Sequence, residues 1–215
     1  MEKLFVCSCN ADDRFAPVSM YLMKNHLEEL KAGMKALAGD ANVLYLLPEN
    51  EKAEGLGDEV RYAEKSPTLG NPYAVAQVLQ GNIPRPMIAD DYVAVYDGKE
   101  VVVVKPEAAY QKATGKNDCF VVINKDGFEG KETEIKEAAA GTKLSEFVDA
   151  SDAKAVLFGG LKGDFIKPQS LAEYELAEGV TSTSVTVFGK ESCIVDTTKK
   201  IMEMSFEDSC GKCVL

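Results

Sequence analysis

The chain has 215 residues, 46% hydrophobic and 27% charged, with a net charge of −11. That length suffices for a sizeable core in one large or two small domains, and the acidic balance excludes sequence-independent binding to nucleic acid, which needs a positive surface. No apolar run reaches the length of a membrane span, and Met1-Glu-Lys-Leu-Phe-Val-Cys7 lacks a secretory apolar region, so neither direct membrane insertion nor export is expected.

Leu4-Phe-Val-Cys7 predicts a short buried strand, and residues 10–17 a turn rich in Asn, Asp and Pro. From 18 to 38 the spacing is helical, with Leu27, Leu30, Met34 and Leu37 repeating at three and four. Asn42 to Leu47 predicts a second strand, stopped by Pro48. Strand, helix and strand at this spacing form a βαβ unit with parallel strands. Residues 48–58 read as a polar surface loop. Tyr73 to Leu79 predicts a short helix behind Pro72, a residue suited to a first helical turn. Tyr92–Tyr96 and Val101–Val104 flank Asp97-Gly98, a hairpin signature.

Beyond residue 110 the texture changes. Strands are predicted at 119–123, 133–136, 155–158 and 184–188, with a short helix at 144–148. Two strands, a helix and more strands resemble a β-grasp (ubiquitin-like) module. An amphipathic helix over 191–206 follows, with Ile194, Thr198, Ile201 and Met202 on one face, and leads to Cys210 and Cys213. Six cysteines in a chain without an export signal indicate thiol, metal or redox chemistry and a cytoplasmic setting.

The order of these segments is similar to a known family. Phe5-Val-Cys-Ser-Cys-Asn-Ala-Asp-Asp13 and the helix after it resemble the strand–loop–helix of the NADH-binding flavoprotein subunit of respiratory complex I. Related subunits occur in NAD-linked hydrogenases and formate dehydrogenases. The β-grasp segment resembles that family's SLBB (soluble-ligand-binding β-grasp) domain, with Gly159-Gly-Leu-Lys-Gly163 at the place of its glycine motif. Glu191 to Asp196 resembles the lead-in to the cluster domain, and Ser209-Cys-Gly-Lys-Cys213 the first half of its cluster motif.

The resemblance implies an α/β architecture in three parts: a reduced, FMN-domain-like unit over 1–110, an SLBB-like module over 111–190, and the first helix and half-motif of a 4Fe–4S domain over 191–215. It implies an NADH dehydrogenase-type electron-transfer subunit, passing electrons from NADH through flavin to iron–sulfur, with other subunits of a redox complex as partners. The alternative is a non-catalytic SLBB scaffold or binding module of such a complex. Departures favour a shortened relative. The family's glycine-rich loop precedes the strand that here begins at residue 4. Asp13 replaces a Glu, and Arg14-Phe-Ala-Pro17 replaces a Gly-Asp/Glu-Pro-Gly stretch. An acidic segment is reduced to Gly70-Asn-Pro-Tyr-Ala-Val75, and two of the four cluster cysteines would lie past residue 215.

Asn10, Asp12 and Asp13 are the candidate cofactor residues, at the end of a parallel strand where α/β sheets bind ligands. The resemblance implies hydrogen bonds from them to flavin. Helix capping and turn formation are the other reading of the same residues. Cys210 and Cys213 are the candidate metal ligands, half of the four thiolates that a cluster requires. A redox dithiol or an unligated tail also accounts for them. Cys7, Cys9, Cys119 and Cys193 read as small buried residues, and His26 as a partly packed side chain on a helix.

Overall fold

The computed structural model describes residues 1–52, 54–56, 59–87, 92–125, 127–129, 133–209 and 211. Its fold is mixed α/β, the predicted class, with two five-stranded sheets in two units. The first unit holds residues 1–12 and 19–116 with the described residues from 208 on, and the second holds 13–18 and 117–207.

In the first unit, β1 (Lys3–Ser8) pairs in parallel with β2 (Asn42–Pro48), Leu4 lying opposite Asn42 and Ser8 opposite Leu46. Two helices make the crossover, α1 (Val18–Asn25) and α2 (Leu27–Ala38). The single helix predicted over 18–38 is therefore interrupted. His26 leaves helical geometry at φ −136° and ψ 37°. Its ring lies against Tyr21 and edge-on to Tyr110, at centroid distances of 5.8 and 5.0 Å. β3 (Val60–Ala63), unassigned by sequence, extends the sheet beside β2. α3 (Pro72–Leu79) starts where predicted, capped by Asn71, whose Oδ1 accepts from the Tyr73 and Ala74 amides.

The hairpin is shorter than predicted: β4 is Val95–Tyr96 and pairs antiparallel with β5 (Lys99–Val104). Asp97 and Gly98 turn it at φ 49° and 72°, the left-handed pair that fits strand twist. β5 then pairs in parallel with β1, giving the order β3-β2-β1-β5-β4. A helix not expected from sequence, α4 (Pro106–Thr114), follows β5.

β1 is covered on both faces, which is why it reads as a continuous apolar run. Leu4, Val6, Leu44, Leu46 and Val101 pack with Ala74, Val75 and Ala76 of α3. The alternate residues Cys7 and Tyr45 face away from that cluster. α2 packs on β1, β2 and α4. Contact between α2 and α4 is close enough to require glycine: a Cβ on Gly33 would stand 1.8 Å from the Ala109 carbonyl oxygen.

In the second unit, β6 (Cys119–Asn124) pairs antiparallel with β7 (Thr133–Ala138), and β8 (Ala153–Phe158) with β9 (Asp164–Ile166). β10 (Ser182–Gly189) lies between, parallel to β6 and antiparallel to β8. The order is β7-β6-β10-β8-β9. Only a 3-10 turn, Leu144–Glu146, stands at the short helix predicted over 144–148. One face of the sheet packs Val121, Ile123, Val156 and Val185 against Leu144, Leu171 and Leu176. Leu157 and Phe188 belong to a separate cluster with Phe15, Phe128 and Phe165.

That cluster also receives Ile194, Ile201 and Met204 of α5 (Ile194–Glu207). The buried stripe is thus 194, 197, 201 and 204, and Met202 is off it. Met202 is 68% exposed, and Val195 and Phe206 are exposed with it. Among the described residues, no helix is long and apolar enough to cross a membrane.

Candidate functional site

The first sheet turns outward in both directions from β1. The chain moves from β1 to β2 on one side and returns to β5 on the other. Such a reversal leaves a crevice beyond the carboxyl ends of the two strands, the usual ligand position of an open parallel sheet.

Asn10 follows β1 at this point and is wholly buried. Its Nδ2 donates to the Ala63 oxygen at 2.9 Å and the Leu47 oxygen at 3.3 Å, with the Glu64 oxygen at 3.4 Å. Its own carbonyl accepts from the Ser66 amide at 3.1 Å. One side chain therefore ties the ends of β2 and β3 to β1. Among the described residues, neither the Asn10 Oδ1 nor the buried Ser8 Oγ has a hydrogen-bond partner. A buried acceptor left in that state costs about 1–3 kcal/mol, so Oδ1 is a ready partner for a donor on a ligand.

Asp12 turns back onto α1. Its carboxylate accepts from the Ser19 amide at 2.8 Å and, through the other oxygen, from the Ser19 hydroxyl. It caps α1 from seven residues upstream and satisfies one of that helix's open N–H groups. Burial raises its carboxyl to about 6. The Ser19 hydroxyl bond opposes this, Glu107 adds to it, and Lys65 opposes it.

Glu107 was missed from sequence. It occupies the first turn of α4, 2% exposed, just past the end of β5. A signal existed: four consecutive valines followed by Lys105-Pro106-Glu107 mark a strand that turns into a helix at proline. Cys7 and Cys9 are buried thiols outside any disulfide. The Cys9 thiol is pushed well up, first by a hydrogen bond with Cys7, then by burial and by the negative charges of Asp12 and Glu107. Burial likewise pushes the Tyr45 hydroxyl up, with further contributions from Cys7 and Cys9. Cys7, Cys9, Asp12 and Glu107 thus form one electrostatic neighbourhood.

Asp13 has its partners elsewhere, within the second unit. One carboxylate oxygen accepts from the Phe15 amide at 2.8 Å and the other from the Leu161 amide at 2.9 Å. This accounts for the glycines of the 159–163 loop. A Cβ on Gly160, itself at φ 73°, would stand 2.6 Å from the Asp13 carboxyl group. One on Gly163 would stand 2.0 Å from the Phe158 oxygen. The loop is a turn closed around a carboxylate. The same strap carries Arg14, paired with Glu207 at 3.0 Å, and Phe15, stacked on Phe128 at 4.9 Å. Of the three predicted residues, Asn10 and Asp12 are anchored in the first unit and Asp13 in the second.

Cys210 and Cys213 lie outside the described residues. Cys119 is buried and Cys193 is exposed at the start of α5, against the expectation that both are buried. Among the described residues, no three His, Cys, Asp or Glu side chains are grouped to hold a metal ion.

No family model and no curated protein matches this chain. Solved structures do. The NAD+-reducing [NiFe]-hydrogenase in the air-oxidized state aligns over 99% of the chain with a TM-score of 0.81 and 19% identity. The H2-reduced state gives 0.78 and 18% over the same share. The chain spans 45% of the length of those chains. At such identities the likeness establishes the fold.

Proposed function

We propose that this chain is an electron-transfer module of the NADH dehydrogenase type, a partner of other subunits in a cytoplasmic NAD-linked redox complex. The observation that carries the reading is the fold likeness over 99% of the chain to an NAD+-reducing hydrogenase. In this reading residues 1–110 are a reduced flavin-domain-like βαβ unit, 111–190 an SLBB-like β-grasp module, and 191–215 the start of a 4Fe–4S domain. The second sheet supports the middle assignment. Counted from β6, its strands run 2-1-5-3-4, the ubiquitin-like order, with the fifth strand parallel to the first.

The crevice suits a polar, ring-bearing ligand such as FMN. Asn10 offers a buried acceptor whose amide nitrogen is already committed to Leu47 and Ala63, so its orientation is fixed. Asp12 offers a carboxyl that changes charge near neutral pH. When bound, FMN would supply the conversion of a two-electron hydride into single electrons. The chain's own groups would hold the ligand, keep water from its buried edge and set the local charge. Cys210 and Cys213 would contribute two of the four thiolates of a cluster.

A second reading, a non-catalytic SLBB scaffold, is favoured by one observation: both oxygens of Asp12 and both of Asp13 are already bonded within the chain. Anaerobic purification followed by assay of flavin, iron and acid-labile sulfide separates the two. Bound or reconstitutable FMN, weakened by Asn10→Ala, is the result expected for the electron-transfer module. Failure of FMN, iron and sulfide to bind on reconstitution would establish the scaffold.

A further inference from the structure

α5 carries two apolar faces. Ile194, Ile201 and Met204 turn inward to the cluster of the second unit, with Thr197 buried beside them. On the far side Val195, Met202 and Phe206 are 78%, 68% and 83% exposed. With Lys199 they follow one another at four, three and four residues, which places them in one stripe along the helix. The stripe borders a groove of about 560 Å³ lined by Lys199, Met202, Glu203, Phe206 and Glu207. An apolar stripe on a helix already packed through its other face marks a contact surface.

The stripe is its own complement. A two-fold axis between residues 200 and 201 sets two copies of α5 antiparallel and exchanges 195 with 206 and 199 with 202. Phe206 of one copy then lies over Val195 of the other, and Met202 over the methylene stem of Lys199. Glu203 borders the stripe on the side of Lys199, 3.7 Å away within one chain. The axis keeps both borders on one side of the pair, so each Lys199 comes level with the Glu203 of the other copy. A parallel pair would set Lys199 against Lys199 and Glu203 against Glu203, a repulsive arrangement. Thr198 and Ser205 edge the opposite side. Their hydroxyls already donate to the Ile194 and Ile201 carbonyls at 2.8 Å, so covering them strands no donor.

We propose that this face of α5 docks a second copy of the chain as an antiparallel, two-fold helix pair. Three apolar side chains and a lysine stem from each copy cover roughly 1,000 Å² in total, at the low end of specific interfaces. The dimer is accordingly weak, dissociating at about 10–100 μM. The inference does not depend on the electron-transfer reading, because it concerns the ligand-free chain.

Sedimentation equilibrium of the whole chain tests it, in about 0.15 M salt to screen the repulsion between two acidic copies. A reductant keeps the exposed Cys193 from cross-linking them. Expected is a mass that rises with concentration from 23.3 kDa toward twice that value. Lys199→Glu should raise the dissociation constant roughly tenfold or more, since it opposes like charges at both symmetric places. Adding Glu203→Lys to that variant should bring the constant back to wild type, a rescue that a merely damaged fold would not give. Met202→Glu should leave a monomer. A wild-type chain that stays at 23.3 kDa up to about 500 μM overturns the proposal. So does a dimer whose dissociation constant is unchanged in Lys199→Glu and Met202→Glu, because the copies then meet through another surface.

Discussion

Replacing Asp12 by Asn converts the acid near 6 into a permanently neutral side chain of the same shape. The folded carboxyl is raised from 3.8 to about 6, so the folded state binds more protons than the unfolded state between those values. Stability from this group is therefore fully present below about pH 4 and is lost as pH rises through 6. The ceiling is about 3 kcal/mol from the size of the shift, and about 2 kcal/mol is a fair expectation because Asp12 is partly exposed. Roughly half of the change falls between pH 5 and 8, above the pI of about 4.7 where an acidic chain is least soluble. Urea unfolding of wild type and Asp12→Asn at several pH values isolates the group, since every other carboxylate is common to both. The variant should gain on wild type by about 1 kcal/mol from pH 5 to pH 8. Parallel curves, or a wild type that gains with rising pH, would refute the reasoning. The second outcome would show that the Ser19 bonds outweigh burial.

Three further substitutions probe packing. Gly33→Ala puts a methyl onto the Ala109 carbonyl oxygen and should destabilise the first unit by roughly 2–3 kcal/mol in denaturant unfolding. Phe15→Ala removes a buried ring stacked on Phe128, with an expected loss of about 3 kcal/mol in the unfolding of the second unit. Phe206→Ser, at an 83% exposed position of α5, should change stability by less than about 0.5 kcal/mol. A large loss at Phe206 would mean that the helix packs through its other face.

Strands with apolar runs were legible because burial on both faces leaves no alternation to confuse them, as in Leu4 to Cys7 and Cys119 to Ile123. α3 was legible from Asn71-Pro72, whose capping and first-turn roles are local. β3 was not, since Val60-Arg-Tyr-Ala63 is an edge strand with only Ala63 buried and so lacks an apolar signature. α4 was passed over although Pro106 and the helix formers Glu107, Ala108, Ala109, Gln111 and Lys112 signal it locally; what it lacks is a long apolar stripe, and its fit rests on the tertiary contact at Gly33. The face of α5 was misassigned at two positions, Thr198 for Thr197 and Met202 for Met204, because each pair is alike in polarity. Only the stripe 194, 197, 201, 204 keeps the spacing of three, four and three that a helix presents to one side.

The candidate site was legible in position and not in role, for a reason that Asp12 and Asp13 make plain. They are chemically identical neighbours at the end of one strand. Their partners separate them: Asp12 meets Ser19, while Asp13 meets the amides of Phe15 and Leu161. Sequence supplies the carboxylates, whereas the long-range partner, 148 residues distant for Asp13, decides what each does. Asp12 shows the same logic in its charge. Two hydrogen bonds from Ser19 favour the anion, and burial with Glu107 opposes it, yet the carboxyl still rises to about 6. Desolvation therefore wins over hydrogen bonding here. The crevice thus combines an uncharged anchor, Asn10, with an acid that is neutral below about pH 6 and negative above it. Such a site is more hospitable to an anionic group at the acid end of that range and to a cationic ring at the basic end, and the proton on Asp12 sets which.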